Sequence, residues 1–60
     1  MIKVTTLSDS LMVLNGELIE KIESVPETVI TLVNGKKYLV KESVDEVLEK
    51  VYEYKRRILI

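Results

Sequence analysis

The 60-residue chain contains no cysteine, no histidine, no tryptophan and no phenylalanine, and only one proline and two glycines. Each absence closes a route. Without cysteine there are no disulfides and no thiolate metal sites, and a reducing cytoplasm becomes the expected location. Without histidine no side chain titrates near neutrality unperturbed, and neither an imidazole base nor a thiol nucleophile exists. A chain of this length has little room for a water-excluding pocket of about 300 Å³, so the expectation is a protein that is not an enzyme, with no metal and no cofactor. No apolar run approaches the ~18 residues of a membrane span, and Met1-Ile2-Lys3-Val4 has no basic, apolar leader pattern. Below roughly 70–80 residues one core seldom supplies more than about 3–5 kcal/mol. With no covalent or metal staple, good packing or self-association has to serve.

What is present reads as a folded domain. Hydrophobic residues make up 47% and charged residues 32%, which is a globular balance, not a disordered one. The net charge of −1 hides blocks: residues 9–27 are acidic, Lys36, Lys37 and Lys41 follow, residues 42–53 are acidic again, and Lys55-Arg56-Arg57 closes the sequence of blocks. With a pI near 5.3 the chain lacks the basic face of a nucleic-acid binder, and no nucleic-acid partner is expected.

The pattern predicts a single domain, residues 1–60, with a sheet part over 1–41 and a helix over 43–57. Ile2 to Leu7 alternates apolar with polar and reads as a strand, Ser8-Asp9-Ser10 as a turn, and Leu11 to Leu14 as the second strand of a hairpin. Asn15-Gly16 reads as another turn. Residues 17–25 have some helical spacing, but the run is short, lacks a good cap and stops at Pro26, so a strand over Ile19–Ser24 is preferred. Residues 28–33 and 36–40 flank Asn34-Gly35 and predict a hairpin with a two-residue type I′ turn. That register opposes Ile30 to Leu39 and Val29 to Val40. It leaves both sheet faces apolar, with Ile30, Leu32 and Leu39 on one and Val29, Tyr38 and Val40 on the other. One helix covers one face only, so the pattern also predicts a homo-oligomer.

The helix is marked at both ends. Ser43 and Glu46 form a capping-box pair, acids fill the first turns, and Lys55, Arg56 and Arg57 complement the dipole at the other end. Val44, Val47, Leu48, Val51, Tyr54 and Ile58 form one apolar stripe. The expected fold is α+β: a small antiparallel β-sheet or partial barrel of four to five strands with one C-terminal α-helix.

Several groups invite a functional reading. Lys36, Lys37, Lys41 and Tyr38 have the makings of an anion contact, yet lysines beside a hairpin turn also guard an edge strand, and that plainer account is preferred. Glu20, Glu23 and Glu27 are read as scattered surface acids, not as a cation cage. Tyr52, Tyr54, Arg56 and Arg57 combine residue types enriched at interfaces, and Ile58, Leu59 and Ile60 adjoin them as an apolar end. Together with Tyr38 these eight residues form the candidate interaction surface. A basic, aliphatic helix end also allows weak contact with a membrane surface.

The order Asn15-Gly16-Glu17-Leu18-Ile19-Glu20, Ile22-Glu23, Pro26 to Leu32, Asn34-Gly35-Lys36-Lys37-Tyr38 resembles the FlbD family of small flagellar proteins. Met1 to Thr5, Val40 to Val47 and Tyr54-Lys55-Arg56 extend the resemblance over nearly the whole chain. It departs from the family pattern near the N-terminus, with Thr6 in place of Arg, Ser8-Asp9 in place of an Asn-Gly turn, and Met12 in place of an aromatic. The resemblance implies a non-enzymatic accessory protein of bacterial motility and swarming, acting by contact with a flagellar motor or assembly protein, at the cytoplasmic side of the flagellar base. The layout of strands and one terminal helix is also that of CsrA-like RNA-binding regulators. Here, however, Lys41-Glu42-Ser43 and following acids stand where that family carries its basic pattern. Affinity for RNA would fall steeply with salt, so a blank gel shift at low salt removes this alternative.

Overall fold

The computed structural model describes residues 1–24 and 26–58. Five strands precede one helix: β1 (Ile2–Thr5), β2 (Leu11–Leu14), β3 (Ile19–Ser24), β4 (Thr28–Leu32), β5 (Lys37–Val40) and α1 (Val44–Ile58). β1 and β2 form one antiparallel sheet, and β3-β4-β5 form a second in that order, also antiparallel. The fold is α+β, and the strands do not close into a barrel among the described residues. The strand expected at Ile19–Ser24 is present over that span. Asn15-Gly16 opens a 3₁₀ turn over Gly16–Leu18, with the Asn15 side chain accepting from the Glu17 amide at 3.0 Å.

The two sheets meet at one corner. Thr6 bridges to Val40, and the Lys41 amide donates to the Thr5 carbonyl at 2.8 Å. Glu42 then reaches across: its carboxylate accepts from the Thr5 amide at 2.9 and 3.0 Å and from the Thr5 hydroxyl at 2.9 Å. Burial alone would raise the Glu42 pKa. The bonds from the Thr5 amide, from its own amide and from the Thr5 hydroxyl, with the nearby Lys50 charge, outweigh it and hold the carboxyl below its ordinary value.

The β4–β5 register differs by one residue from the expected one. Val29 opposes Leu39 and Ile30 opposes Tyr38. A two-residue type I′ turn needs positive φ at both Asn34 and Gly35. Only Gly35 has it, at φ 90. The loop instead holds three residues, with Gly35 donating to the Leu32 carbonyl at 2.9 Å and Leu32 to the Lys36 carbonyl at 2.8 Å. The Asn34 side chain accepts from the Lys36 amide. Because side chains alternate, the one-residue shift gathers Thr28, Ile30, Leu32, Tyr38 and Val40 on a single face. Leu39 and Lys37 turn outward and are exposed. The expectation of two strongly apolar faces is therefore corrected: Val40 and Tyr38 join the core, and Val29 and Leu39 are what remains of the second apolar face.

That core consists of Ile2, Val4, Leu14, Ile30, Leu32, Val40 and Val47, with Met12, Ile19, Ile22, Tyr38, Val51 and Tyr54 packed around it. α1 contributes Val47 at its centre and packs against β1 and β3. The capping box forms as expected, with Ser43 accepting from the Glu46 amide at 3.2 Å and Glu46 accepting from the Ser43 amide at 2.9 Å. Such a cap contributes about 1 kcal/mol and fixes where the helix begins.

Candidate functional site

The second half of α1 presents its residues in two directions. Lys50, Glu53, Tyr54 and Arg57 lie at i, i+3, i+4 and i+7, one face of the helix. With Met1, Ile2 and Lys3 of the first strand region they line an open cleft of about 360 Å³. Three cations, Lys3, Lys50 and Arg57, meet one acid, Glu53, which pairs with Arg57 at 3.4 Å. The cleft is thus net positive.

Tyr54 forms its apolar wall, with its ring packed close over Gly16. A β-carbon at Gly16 would lie 3.1 Å from Tyr54 Cδ2 and 3.3 Å from Cε2. The 3₁₀ turn after β2 therefore lets the ring sit close, and a side chain at residue 16 would press it outward by a few tenths of an ångström. The ring is half-buried against the core.

The eight residues singled out from sequence are separated by this geometry. Tyr54 and Arg57 line the cleft. Tyr52, 58% exposed, and Arg56, also exposed, stand outside it on the helix surface. Tyr38 lies on β5, half-buried beside Ile30, and is not part of the cleft. Ile58 ends the helix, and Leu59 and Ile60 lie outside the described residues. Lys3, Lys50 and Glu53 were not singled out. The helix pair, Lys50 and Glu53, was legible as neighbours of Tyr54 and Arg57 at helical spacing, whereas Lys3 needed the β1–α1 packing.

Among the described residues no group of three or more acidic side chains comes together to hold a metal ion. No described helix is long and apolar enough to cross a membrane. The model of the FlbD family, flagellar and swarming motility proteins, matches residues 1–59. The chain belongs to the FlbD family. No curated protein and no solved structure matches it. The match spans all five strands, the corner joining the two sheets, and all of α1.

Proposed function

We propose that this chain is a non-enzymatic flagellar accessory protein that supports motility and swarming by contact with a motor or assembly component, on the cytoplasmic side of the flagellar base. The match to the FlbD family over residues 1–59 carries the reading. The proposed contact surface is the second half of α1. Tyr52, Arg56 and Arg57 are its exposed side chains, and the cationic cleft beside Tyr54 is its recess. Tyr and Arg give large contact area and forked hydrogen bonding, which suits a protein partner with acidic groups. Self-association belongs to the same reading.

The test is genetic and direct. A host lacking the gene should swim or swarm poorly, and the wild-type gene should restore it. Normal swimming and swarming in the deletion strain would overturn the proposal. A Tyr52→Ala, Arg56→Glu double variant should fold normally, because both side chains are exposed, yet restore swarming poorly. Full restoration would move the contact away from the helix end.

A further inference from the structure

The two outermost strands treat their free edges differently. β3, one edge, carries Glu20, Lys21 and Glu23 and a bulge between Ile19 and Lys21, devices that discourage edge pairing. β2, the other, is Leu11-Met12-Val13-Leu14, with no charge, no proline and no bulge. Leu11 is 68% and Val13 50% exposed.

The hydrogen bonding of β1 shows which way the β2 backbone faces. The Thr5 amide and carbonyl turn away from β2, toward Glu42 and the Lys41 amide. Thr5 and its partner Leu11 are thus a non-hydrogen-bonded pair, and alternation makes Lys3 and Val13 another. The amides and carbonyls of Leu11 and Val13 therefore point out of the sheet edge, while Met12 bonds inward to Val4. Among the described residues no strand takes up that outer edge.

We propose that this edge is occupied by a second copy of the chain, paired antiparallel about a two-fold axis through Met12. Leu11 of each copy then lies opposite Val13 of the partner subunit. This register is self-complementary in two ways. It matches the outward amides and carbonyls of Leu11 and Val13 in two reciprocal pairs, giving four hydrogen bonds. It also keeps the face of each residue, so the four exposed aliphatic side chains meet on one side of the joined sheet. A shift of one residue would put core-facing side chains opposite outward-facing ones. A shift of two would lose both Leu–Val pairs. The seam is small, so the dimer is concentration-dependent. The proposal gives a surface to the self-association within the proposed function and does not depend on the flagellar role.

The chain has no cysteine, so the register can be read by placing single ones. Leu11→Cys mixed with Val13→Cys should give a disulfide-linked heterodimer on mild oxidation. Either variant alone should cross-link at least tenfold less, since like residues sit beyond the ~7 Å Cα separation a disulfide spans. In sedimentation, the wild-type chain should shift from 6.9 kDa toward twice that mass with rising concentration. Val13→Lys should remain at 6.9 kDa with an unchanged circular dichroism spectrum. A wild-type chain that stays monomeric at the concentration of an NMR sample would overturn the proposal. A wild-type dimer without the mixed cross-link, or one that survives folded Val13→Lys, would overturn this edge while leaving self-association standing. Neither result bears on the motility phenotype, which the deletion strain tests separately.

Discussion

In the hairpin of β4 and β5 the residue at positive φ is Gly35; in that of β1 and β2 it is Asp9, at φ 67. The loops are otherwise built alike. Asp9 donates to the Thr6 carbonyl at 3.0 Å and Thr6 to the Ser10 carbonyl at 2.8 Å, the same pair of bonds that Gly35 and Leu32 make in the other loop. Both are three-residue loops with one left-handed residue before the returning strand. Beyond the loops the hairpins diverge. β4 runs through the centre of its sheet with Ile30 fully buried, whereas β2 is an edge whose Leu11 and Val13 face solvent. A shared turn geometry therefore says nothing about position in the sheet: each hairpin sends three side chains into the core, Ile2, Val4 and Leu14 from one and Ile30, Leu32 and Val40 from the other, but only β4 is flanked by a strand on both sides. The two hairpins are joined through Thr5, Thr6, Val40 and Glu42.

Truncating matched positions should expose that difference most strongly. Ile30→Ala removes a fully buried side chain and should cost about 2–5 kcal/mol, comparable to all that a core of this size supplies. The variant should be largely unfolded at 25 °C by circular dichroism. Met12→Ala on β2, half-buried, should cost about 1–2 kcal/mol and leave a folded protein with a lower urea midpoint. Equal losses would mean that the first hairpin is as central as the second.

The attachment between them is the next largest target. Glu42→Gln keeps the shape but replaces charge-assisted bonds to Thr5 with neutral ones, and should cost about 1–2 kcal/mol at neutral pH. The Glu42 pKa is lowered in the folded chain, so its contribution is fully present above the unfolded value. It is lost as pH falls through the folded one. Wild-type stability should drop on acidification through and below the ordinary glutamate range, and Glu42→Gln should flatten that limb. Amide exchange of β1 should also rise more in this variant than exchange of β4.

How far the chain was legible follows from the same contrast. The helix declared itself because its signals are local: Ser43 and Glu46 cap it within four residues, and Val44, Val47 and Val51 repeat at its period. β3 was legible because Pro26 and the short run argued against a helix. The β4–β5 register was not. Asn34-Gly35 is compatible with a two- or a three-residue loop, and the choice depends on which face Ile30 and Val40 must share, which is a tertiary fact. The Glu42 link was hidden for a like reason, since Thr5 lies 37 positions away. Of the candidate surface, the helix end was visible as Tyr and Arg in a basic block. Its recess was not, because Lys3 reaches it from β1 and Gly16 shapes it from beneath Tyr54.

Exchanging the two left-handed residues gives the smaller effects and tests whether the loops are equivalent. Gly35 sits at φ 90, beyond the narrow region near +57° that L-residues tolerate, so Gly35→Asp should cost about 1–2 kcal/mol by thermal melting. Asp9 sits at φ 67, close to that region, and aspartate is among the residues that accept it. Asp9→Gly relieves the remaining strain but loosens the unfolded chain and removes an exposed ion pair with Lys41, worth at most about 0.5 kcal/mol. These terms nearly cancel, so Asp9→Gly should change stability by no more than about 0.5 kcal/mol. The asymmetry is the point of the exchange. If Asp9→Gly stabilised by as much as Gly35→Asp destabilised, the first loop would be strained, and the aspartate would be held there for a contact beyond Lys41.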